Sequence, residues 1–304
     1  MSDQNPTKHQ DIETDPNLGI QEPQKPPAVT VQVEFGALSH PGKVRTHNED
    51  HYVILKLSRN MQPLYTNVPE NDLAGPFEEI GYGMVVADGM GGQAGGEVAS
   101  RSAIQILLNL TASAPNWILK IDENEAQELM ERASNYFQKV DSEISDKAKT
   151  EPALAGMGTT LTASYSIGSN VFIMNVGDSR AYLFRNGKLY QLTRDQTVAQ
   201  ALADAGQISP EDVANHPLRH VLTNAVGARG GNVSVDIQQM QLGHEDRLLL
   251  CSDGLTEMVD DNTISETMLR IQAPADCCQE LVNLALQNGG KDNVTVLIAR
   301  YLFS

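Results

Sequence analysis

GTTLTASYSIGSNVFIMNVGDSRAYLFRNGKLYQLT (158–193) holds four strand-like runs in close order, at 158–166, 170–177, 180–185 and 188–193. β-Branched and aromatic residues bounded by Gly, Asn and Ser read as short strands between turns. Asn186-Gly187 sits between the last two runs. That dipeptide favours a two-residue hairpin, whose central positions take positive φ.

Working outward, VQVEFGAL alternates like a strand from Val31, and HYVILKL (51–57) is a second strand. Residues 60–80 carry turn residues and little periodicity, so they are expected to form a long loop before the strand GYGMVVAD (81–88). Val98, Ile104, Leu107 and Leu108 mark a helix over 94–110. Leu129, Tyr136, Phe137, Val140 and Ile144 mark another over 123–147. On the C-terminal side, 195–231 is Ala-rich and polar, with Pro210 and Pro217. It reads as short helices and loops outside the sheet, a candidate lid. Strands resume at 233–241 and 246–252. A last helix starts near Pro274, a favoured first helical position, stops at Gly289-Gly290, and precedes a strand at 293–301. Strands dominate and helices come in pairs rather than after each strand. The expected class is α+β, with antiparallel sheets under outer helical layers.

The chain has 304 residues, 40% of them hydrophobic, enough for two layers of strand with covering helices. Residues 1–30 are polar, contain Pro and have few large apolar side chains, so they are expected to be a disordered tail on a domain spanning 31–304. Lys and Arg number 22 against 39 Asp and Glu, a net charge of −17. No basic run offsets this, which argues against nucleic acid or an anionic membrane as partner. Cys251, Cys277 and Cys278 show no disulfide spacing, no run reaches transmembrane length, and MSDQNPTKHQ lacks the apolar stretch of a signal peptide. A cytoplasmic protein is expected.

Apolar runs end at Asp88 (MVVAD), Asp178 (VFIMNVGD) and Asp253 (RLLLCSD), and Asp292 stands just before VTVLIA. Carboxylates gathered at one sheet edge repel each other and resist ionising. A divalent cation relieves this, and an all-oxygen site favours Mg²⁺, Mn²⁺ or Ca²⁺. In KVRTHNEDHY (43–52), Glu49 and Asp50 start a strand and point to opposite faces. One can reach a metal directly and the other through water. Arg45, four residues earlier, can aim at an anion held there. His47 and His51 read as solvent-exposed rather than as ligands, and Ser179 has no nearby base to make it a nucleophile. Gly89-Met90-Gly91-Gly92-Gln93-Ala94 fits the dinucleotide pattern G-x-G-x-x-A. However, Asp88 would face a pyrophosphate with like charge, and Asn109 falls inside a helix rather than ending a strand. Each acid alone can be an ordinary turn residue. Several such elements with an arginine nearby point instead to a phosphate site, and two ions bridged by one carboxylate serve in-line displacement at phosphorus.

The ordered set RTHNED, ADGMGG, GMGTT, VGDSRAYL, CSDGL and GGKDNVT resembles the bacterial branch of the metal-dependent protein phosphatase 2C family, over roughly 33–301. The resemblance implies an α-β-β-α sandwich of two antiparallel sheets flanked by helices. It implies a signalling hydrolase that removes phosphate from phosphoserine and phosphothreonine with Mn²⁺ or Mg²⁺. A hydroxide bridging the metals would attack phosphorus in line, with no phosphoenzyme. Carried over by residue, Asp88 bridges two catalytic ions, Asp253 and Asp292 complete one, and Glu49 with the Gly89 carbonyl serves the other. Asp50 acts through water, Arg45 holds the phosphate, and Asp178, with Glu257 as a second acid, serves a third ion. Residues 195–231 match the family's flap. The implied partners are phosphorylated proteins, among them targets of a Ser/Thr kinase, and the protein is expected to be a monomer.

Three positions depart from the family pattern. Met90 stands where animal relatives place a histidine, and Gln93 where many bacterial members do. Asp195-Gln196-Thr197 replaces Asp-His-Ser. None removes an inner metal ligand, but the acid for the leaving group is left unidentified. A non-catalytic partner-binding domain of the same fold would lack inner-shell acids. A structural Ca²⁺ protein would have no use for Arg45 or a flap.

Overall fold

The chain runs β1 (Val31–His40), β2 (Asp50–Met61), β3 (Phe77–Met90), α1 (Gly95–Ala112), α2 (Glu123–Thr150), β4 (Gly158–Thr159), β5 (Leu161–Ile167), β6 (Asn170–Val176), β7 (Arg180–Arg185), β8 (Lys188–Gln191), α3 (Val198–Asp204), β9 (Asp236–Gln241), β10 (Arg247–Cys251), α4 (Asp253–Thr256), α5 (Asp261–Arg270), α6 (Pro274–Gln287) and β11 (Val294–Phe303). The computed structural model describes residues 31–69, 72–73, 77–91, 95–114, 123–228 and 232–304. The expected tail at 1–30, and Gly92, Gln93 and Ala94 of the glycine turn, lie outside the described residues.

One sheet has the order β1-β11-β10-β7-β8, the other β2-β3-β5-β6-β9, with β4 paired to the end of β3. All of these pairings are antiparallel. Successive side chains of a strand point to opposite faces, and here both faces are covered. Met84 and Val86 of β3, Leu248 and Leu250 of β10, and Leu297 and Ala299 of β11 meet between the sheets. The alternate residues Val85 and Ala87 pack under α1 and α2. Leu249, Cys251, Val296 and Ile298 pack under α5 and α6. The expected α-β-β-α sandwich is therefore what forms, and burial on both faces explains why these strands read as unbroken apolar runs. Each fully buried Leu, Ile or Val contributes roughly 1.5–3 kcal/mol. Cys251, Cys277 and Cys278 are free and buried, as core residues.

Asn186 and Gly187 both take positive φ, 52° and 74°, so they close the β7–β8 hairpin as expected. β6 and β7 follow each other in sequence but lie in different sheets. The Gly177-Asp178 turn therefore carries the chain across the sandwich. Gly177 has φ 106°, and a Cβ there would lie 2.6 Å from the Thr160 side chain, so only glycine fits.

Several boundaries differ from expectation. The loop expected over 60–80 is shorter, because β2 reaches Met61 and β3 begins at Phe77. In the β2 extension Ser58, Arg59 and Asn60 are polar and exposed, so the apolar pattern fades before the strand does. The run at 158–166 is split at Thr160 into β4 and β5. The second helix continues to Thr150. Before α6, α4 and α5 also form; Asp260 caps α5 by accepting a hydrogen bond from the Thr263 amide. Residues 195–231 hold only α3 and a 3-10 turn at Pro210–Asn215 among their described residues. Among the described residues no helix is long and apolar enough to cross a membrane.

Candidate active site

The strand ends place the acids. Asp50 opens β2, Asp88 lies near the end of β3, and Asp178 occupies the crossover turn. Asp253 opens α4 just past β10, and Asp292 stands just ahead of β11. Arg45, Glu49, Asp88, Gly89, Asp178, Asp253, Glu257 and Asp292 line one cleft of about 1110 Å³. Asp50 is the one expected site residue outside that lining; it is buried, 4% exposed.

Local hydrogen bonds fix each acid. The Asp88 amide donates to Thr160 Oγ1 (3.0 Å), and the Asp88 carbonyl accepts from the Thr160 amide (2.9 Å) and Thr159 Oγ1 (2.8 Å). Thr160 Oγ1 also meets Ser179 Oγ at 2.8 Å. Thus the GMGTT segment ties the Asp88 strand to the Asp178 turn, and Ser179 is a buried structural residue. A Cβ on Gly89 would lie 2.1 Å from the Gly96 carbonyl oxygen, and one on Gly96 would lie 2.8 Å from the Glu49 carboxylate. Glycine at both positions lets the start of α1 sit directly on the end of β3, beside Glu49.

Asp50 Oδ2 accepts from Ser252 Oγ and Thr295 Oγ1, both at 2.7 Å. Its other oxygen, Oδ1, is buried without a partner. Asn293 anchors the 41–49 loop. Its Oδ1 accepts from the Glu49 amide (2.7 Å), while its Nδ2 donates to the carbonyls of Pro41 (3.0 Å) and His47 (2.9 Å). That anchor presents Arg45, whose Nη2 donates to Asp292 Oδ2 at 2.6 Å. The arginine expected to be free for an anion is thus held by an acid of the site, a pairing across 247 positions of sequence.

Burial pushes the acids up, and their neighbours add to it. Asp88 and Asp178 stand well above the ordinary carboxylate value. Asp50 and Asp253 are pushed up to about 7. Burial also raises Glu49 and Glu257. Asp50 and Asp253 are among the charged neighbours that push Asp88 up. The fixed cations lining the cleft are Arg45 and Lys291, too few for these acids. Clustered, oxygen-only, charge-frustrated donors with an orphaned Asp50 oxygen fit a hard divalent cation.

One expectation about a histidine changes, and one histidine of the cleft was not expected. His51 is half-buried, with Nδ1 2.9 Å from Ser100 Oγ, and Ser100 in turn donates to the Glu49 carbonyl. It is a scaffold residue rather than an exposed one. His220, on the flap, reaches the cleft, and its Nδ1 contacts Glu257 Oε1. Nothing local in the sequence marks it, since the contact depends on how the flap folds back. The scaffold residues Asn293, Ser252, Thr295 and Thr160 were not singled out either, although each lies inside or beside a quoted motif. The replacement triplet is structural: Asp195 pairs with Arg180 (2.6 Å), Gln196 Oε1 accepts from the Gly177 amide (2.8 Å), and Thr197 caps α3.

The sequence profile of protein phosphatase 2C matches residues 71–285. The chain belongs to the protein phosphatase 2C family. The serine/threonine protein phosphatase PstP of Mycobacterium tuberculosis is 36% identical over 272 residues, covering 89% of this chain and 45% of that protein. The serine/threonine phosphatase stp of Listeria monocytogenes is also 36% identical, over 84% of this chain and 91% of that protein. This chain therefore spans less than half of the mycobacterial phosphatase and most of the listerial one. A crystal structure of the catalytic domain of PstP with two manganese ions superimposes with a TM-score of 0.68 at 34% identity, covering 90% of this chain and 100% of that domain. That domain holds two manganese ions, and this chain gathers its own acids in one cleft.

Proposed function

We propose that this protein hydrolyses phosphoserine and phosphothreonine in phosphorylated proteins, among them targets of a Ser/Thr kinase. The observation that carries this reading is the convergence of Asp88, Asp253, Asp292 and Glu49 with Arg45 in one cleft. Asp88 would be the ligand common to two Mn²⁺ or Mg²⁺ ions, Asp253 and Asp292 would help to hold one of them, and Glu49 and the Gly89 carbonyl would help to hold the other. Asp50 stands behind them, its free oxygen available to a water of the site. Asp178 and Glu257 are the acids left for a third ion. When bound, the two ions lower the pKa of a shared water and neutralise charge on the transferred phosphoryl group.

The chain's own residues do the rest. Arg45, steadied by Asp292, offers a planar fork of N–H donors to two phosphate oxygens. Ser252 and Thr295 keep Asp50 aimed. Asn293 fixes the loop that carries Arg45 and Glu49. We further assign the catalytic domain to 31–304 with its flap at 195–231, acting as a monomer in the cytoplasm. The net charge of −17 supports a protein rather than nucleic-acid partner. The test is phosphate release from a phosphothreonine peptide, with Mn²⁺ and after exhaustive chelation. Release should depend on the added ion; full activity in the chelated protein would overturn the reading.

A further inference from the structure

We propose that Asp141, buried on α2, is a positioning residue for the metal-ligand end of β3, acting through Gly227, Val226 and Thr159. This rests on the phosphatase reading and adds to it a residue outside the cleft that sets the metal centre.

Asp141 follows the buried Val140 on α2 and is itself 1% exposed. A carboxylate costs free energy in such surroundings unless its oxygens are hydrogen-bonded. Its Oδ1 accepts from the Gly227 amide at 2.6 Å, across 86 positions of sequence. Four residues on, along the same face of the helix, Ser145 Oγ donates to the Gly227 carbonyl at 3.3 Å. Gly227 has φ 85°, and a Cβ there would lie 2.3 Å from the Ile144 side chain. Glycine thus lets the flap's returning backbone press directly on α2, where Asp141 holds its amide and Ser145 its carbonyl.

The preceding residue carries the tie inward. The Val226 amide donates to the Thr159 carbonyl and the Thr159 amide to the Val226 carbonyl, both at 2.9 Å. β4 is only Gly158 and Thr159, shorter than an ordinary strand, so it depends on its neighbours. Those neighbours are Val226 on one side and Gly89-Met90 of β3 on the other. Thr159 is the register partner of Gly89, and its Oγ1 donates to the Asp88 carbonyl at 2.8 Å. A shift of Gly227 therefore moves β4, and β4 moves the backbone that presents the Asp88 carboxylate and the Gly89 carbonyl. Asp141, Gly227, Val226 and Thr159 all stand outside the cleft lining, so they act on an ion through position alone.

The experiment is Mn²⁺ calorimetry on the full chain and its variants, with stability read by denaturant melts. Asp141→Leu keeps a similar side-chain outline but offers the Gly227 amide no acceptor. It should weaken Mn²⁺ binding roughly 10–100-fold, as loss of other outer partners does, and excess Mn²⁺ should restore turnover. Asp141→Asn keeps an acceptor oxygen and should recover most of the affinity. Val140→Ala opens a cavity at the adjacent buried position of the same helix. It should lower stability and leave Mn²⁺ affinity near wild type. Coupling between two sites is reciprocal, so wild type supplies a readout that needs no variant. Mn²⁺ at ten times its dissociation constant should slow hydrogen exchange at Ala225–Gly227 by up to about tenfold, and slow α6 less. If Asp141→Leu does not fold, this readout decides. Wild-type Mn²⁺ affinity in Asp141→Leu, an equal loss in Val140→Ala, or an Asp141→Asn as weak as Asp141→Leu would each overturn the inference. So would exchange that slows as much in α6 as at Ala225–Gly227. Each of these leaves an active wild type, and the phosphatase reading, intact. A wild type that neither binds Mn²⁺ nor releases phosphate would sink that reading as well.

Discussion

Asp50 on β2 is the register partner of Asp88 on β3, so two carboxylates stand on directly opposed residues of adjacent strands, Asp88 lining the cleft and Asp50 buried outside that lining. Like charges in that position destabilise a strand pair. The arrangement opposes stability unless a proton or a cation intervenes.

The first prediction follows from that opposition. Asp88 is pushed well above the ordinary value of 3.8, and Asp50 and Asp253 to about 7. A group raised by folding binds a proton that the unfolded chain has released. Its contribution is full below the ordinary value and is lost as pH rises through the folded value. In chelator, this site should therefore lower the melting temperature as pH rises from about 4 to about 8. Added Mn²⁺ should raise it more at about pH 8 than at about pH 5, because protons and metal compete for the same oxygens. Calorimetry at both pH values checks this, and a larger Mn²⁺ gain at the acid end would contradict it.

The second concerns charge against shape. Asp88→Asn and Asp253→Asn keep the side-chain outline but remove a buried negative charge. Near pH 8 the chelated variants should melt above the chelated wild type, while the gain from Mn²⁺ disappears. Turnover should fall by more than about 100-fold, since even outer-shell changes cost 10–100-fold. Asp178→Asn should be milder at the central pair. Thermal shifts with and without Mn²⁺, paired with phosphopeptide kinetics, read both effects. A chelated Asp88→Asn that melts well below wild type would mean the carboxylate is structural.

The third tests the support of Asp50. Ser252→Ala and Thr295→Val each remove a 2.7 Å hydrogen bond to a buried carboxylate. Each should cost about 1–3 kcal/mol of stability, and the double variant should be non-additive because both donors serve one oxygen. Metal affinity should weaken by roughly 10–100-fold, as for other outer-shell partners. Denaturant melts and Mn²⁺ calorimetry measure the two; single variants that match wild type in both would remove these hydroxyls from the site.

Much of this was legible in the sequence, for physical reasons that differ by element. β3, β6, β10 and β11 are covered on both faces, so they appear as continuous apolar runs, and the acids at their ends stand out by contrast. Asn186-Gly187 and Gly289-Gly290 are legible because positive φ restricts residue choice. α5 was not, because DNTISETMLR buries only Ile264, Thr267 and Met268 and otherwise reads as polar. The edge ends of β2 and β3 were missed because their outward residues face water. Within the site, Asp88 and Asp253 announce themselves locally. The Arg45–Asp292 pair and the His220–Glu257 contact join segments far apart in sequence, and nothing in either segment alone encodes the meeting.

The last prediction separates substrate grip from metal binding at Arg45. Its guanidinium is about half exposed and donates to Asp292 Oδ2 at 2.6 Å. An exposed ion pair of this kind contributes little to stability, on the order of 0–1 kcal/mol. Arg45→Ala should therefore leave the melting temperature nearly unchanged. Asp292 keeps its hydrogen bond from the Asn293 amide, 2.8 Å, so Mn²⁺ binding should survive. What is lost is a pair of charge-assisted hydrogen bonds to the phosphate, worth roughly 1.5–3 kcal/mol. That corresponds to about a ten- to hundredfold fall in kcat/KM. If the guanidinium grips ground state and transition state alike, the loss falls on KM; if it grips mainly the transition state, on kcat. Arg45→Lys should recover only part, because an ammonium supplies charge without the planar fork. Steady-state kinetics on one phosphopeptide, with Mn²⁺ calorimetry for each variant, decides the assignment. Unchanged kcat/KM would remove Arg45 from the phosphate site, and lost Mn²⁺ binding would make its main task the positioning of Asp292.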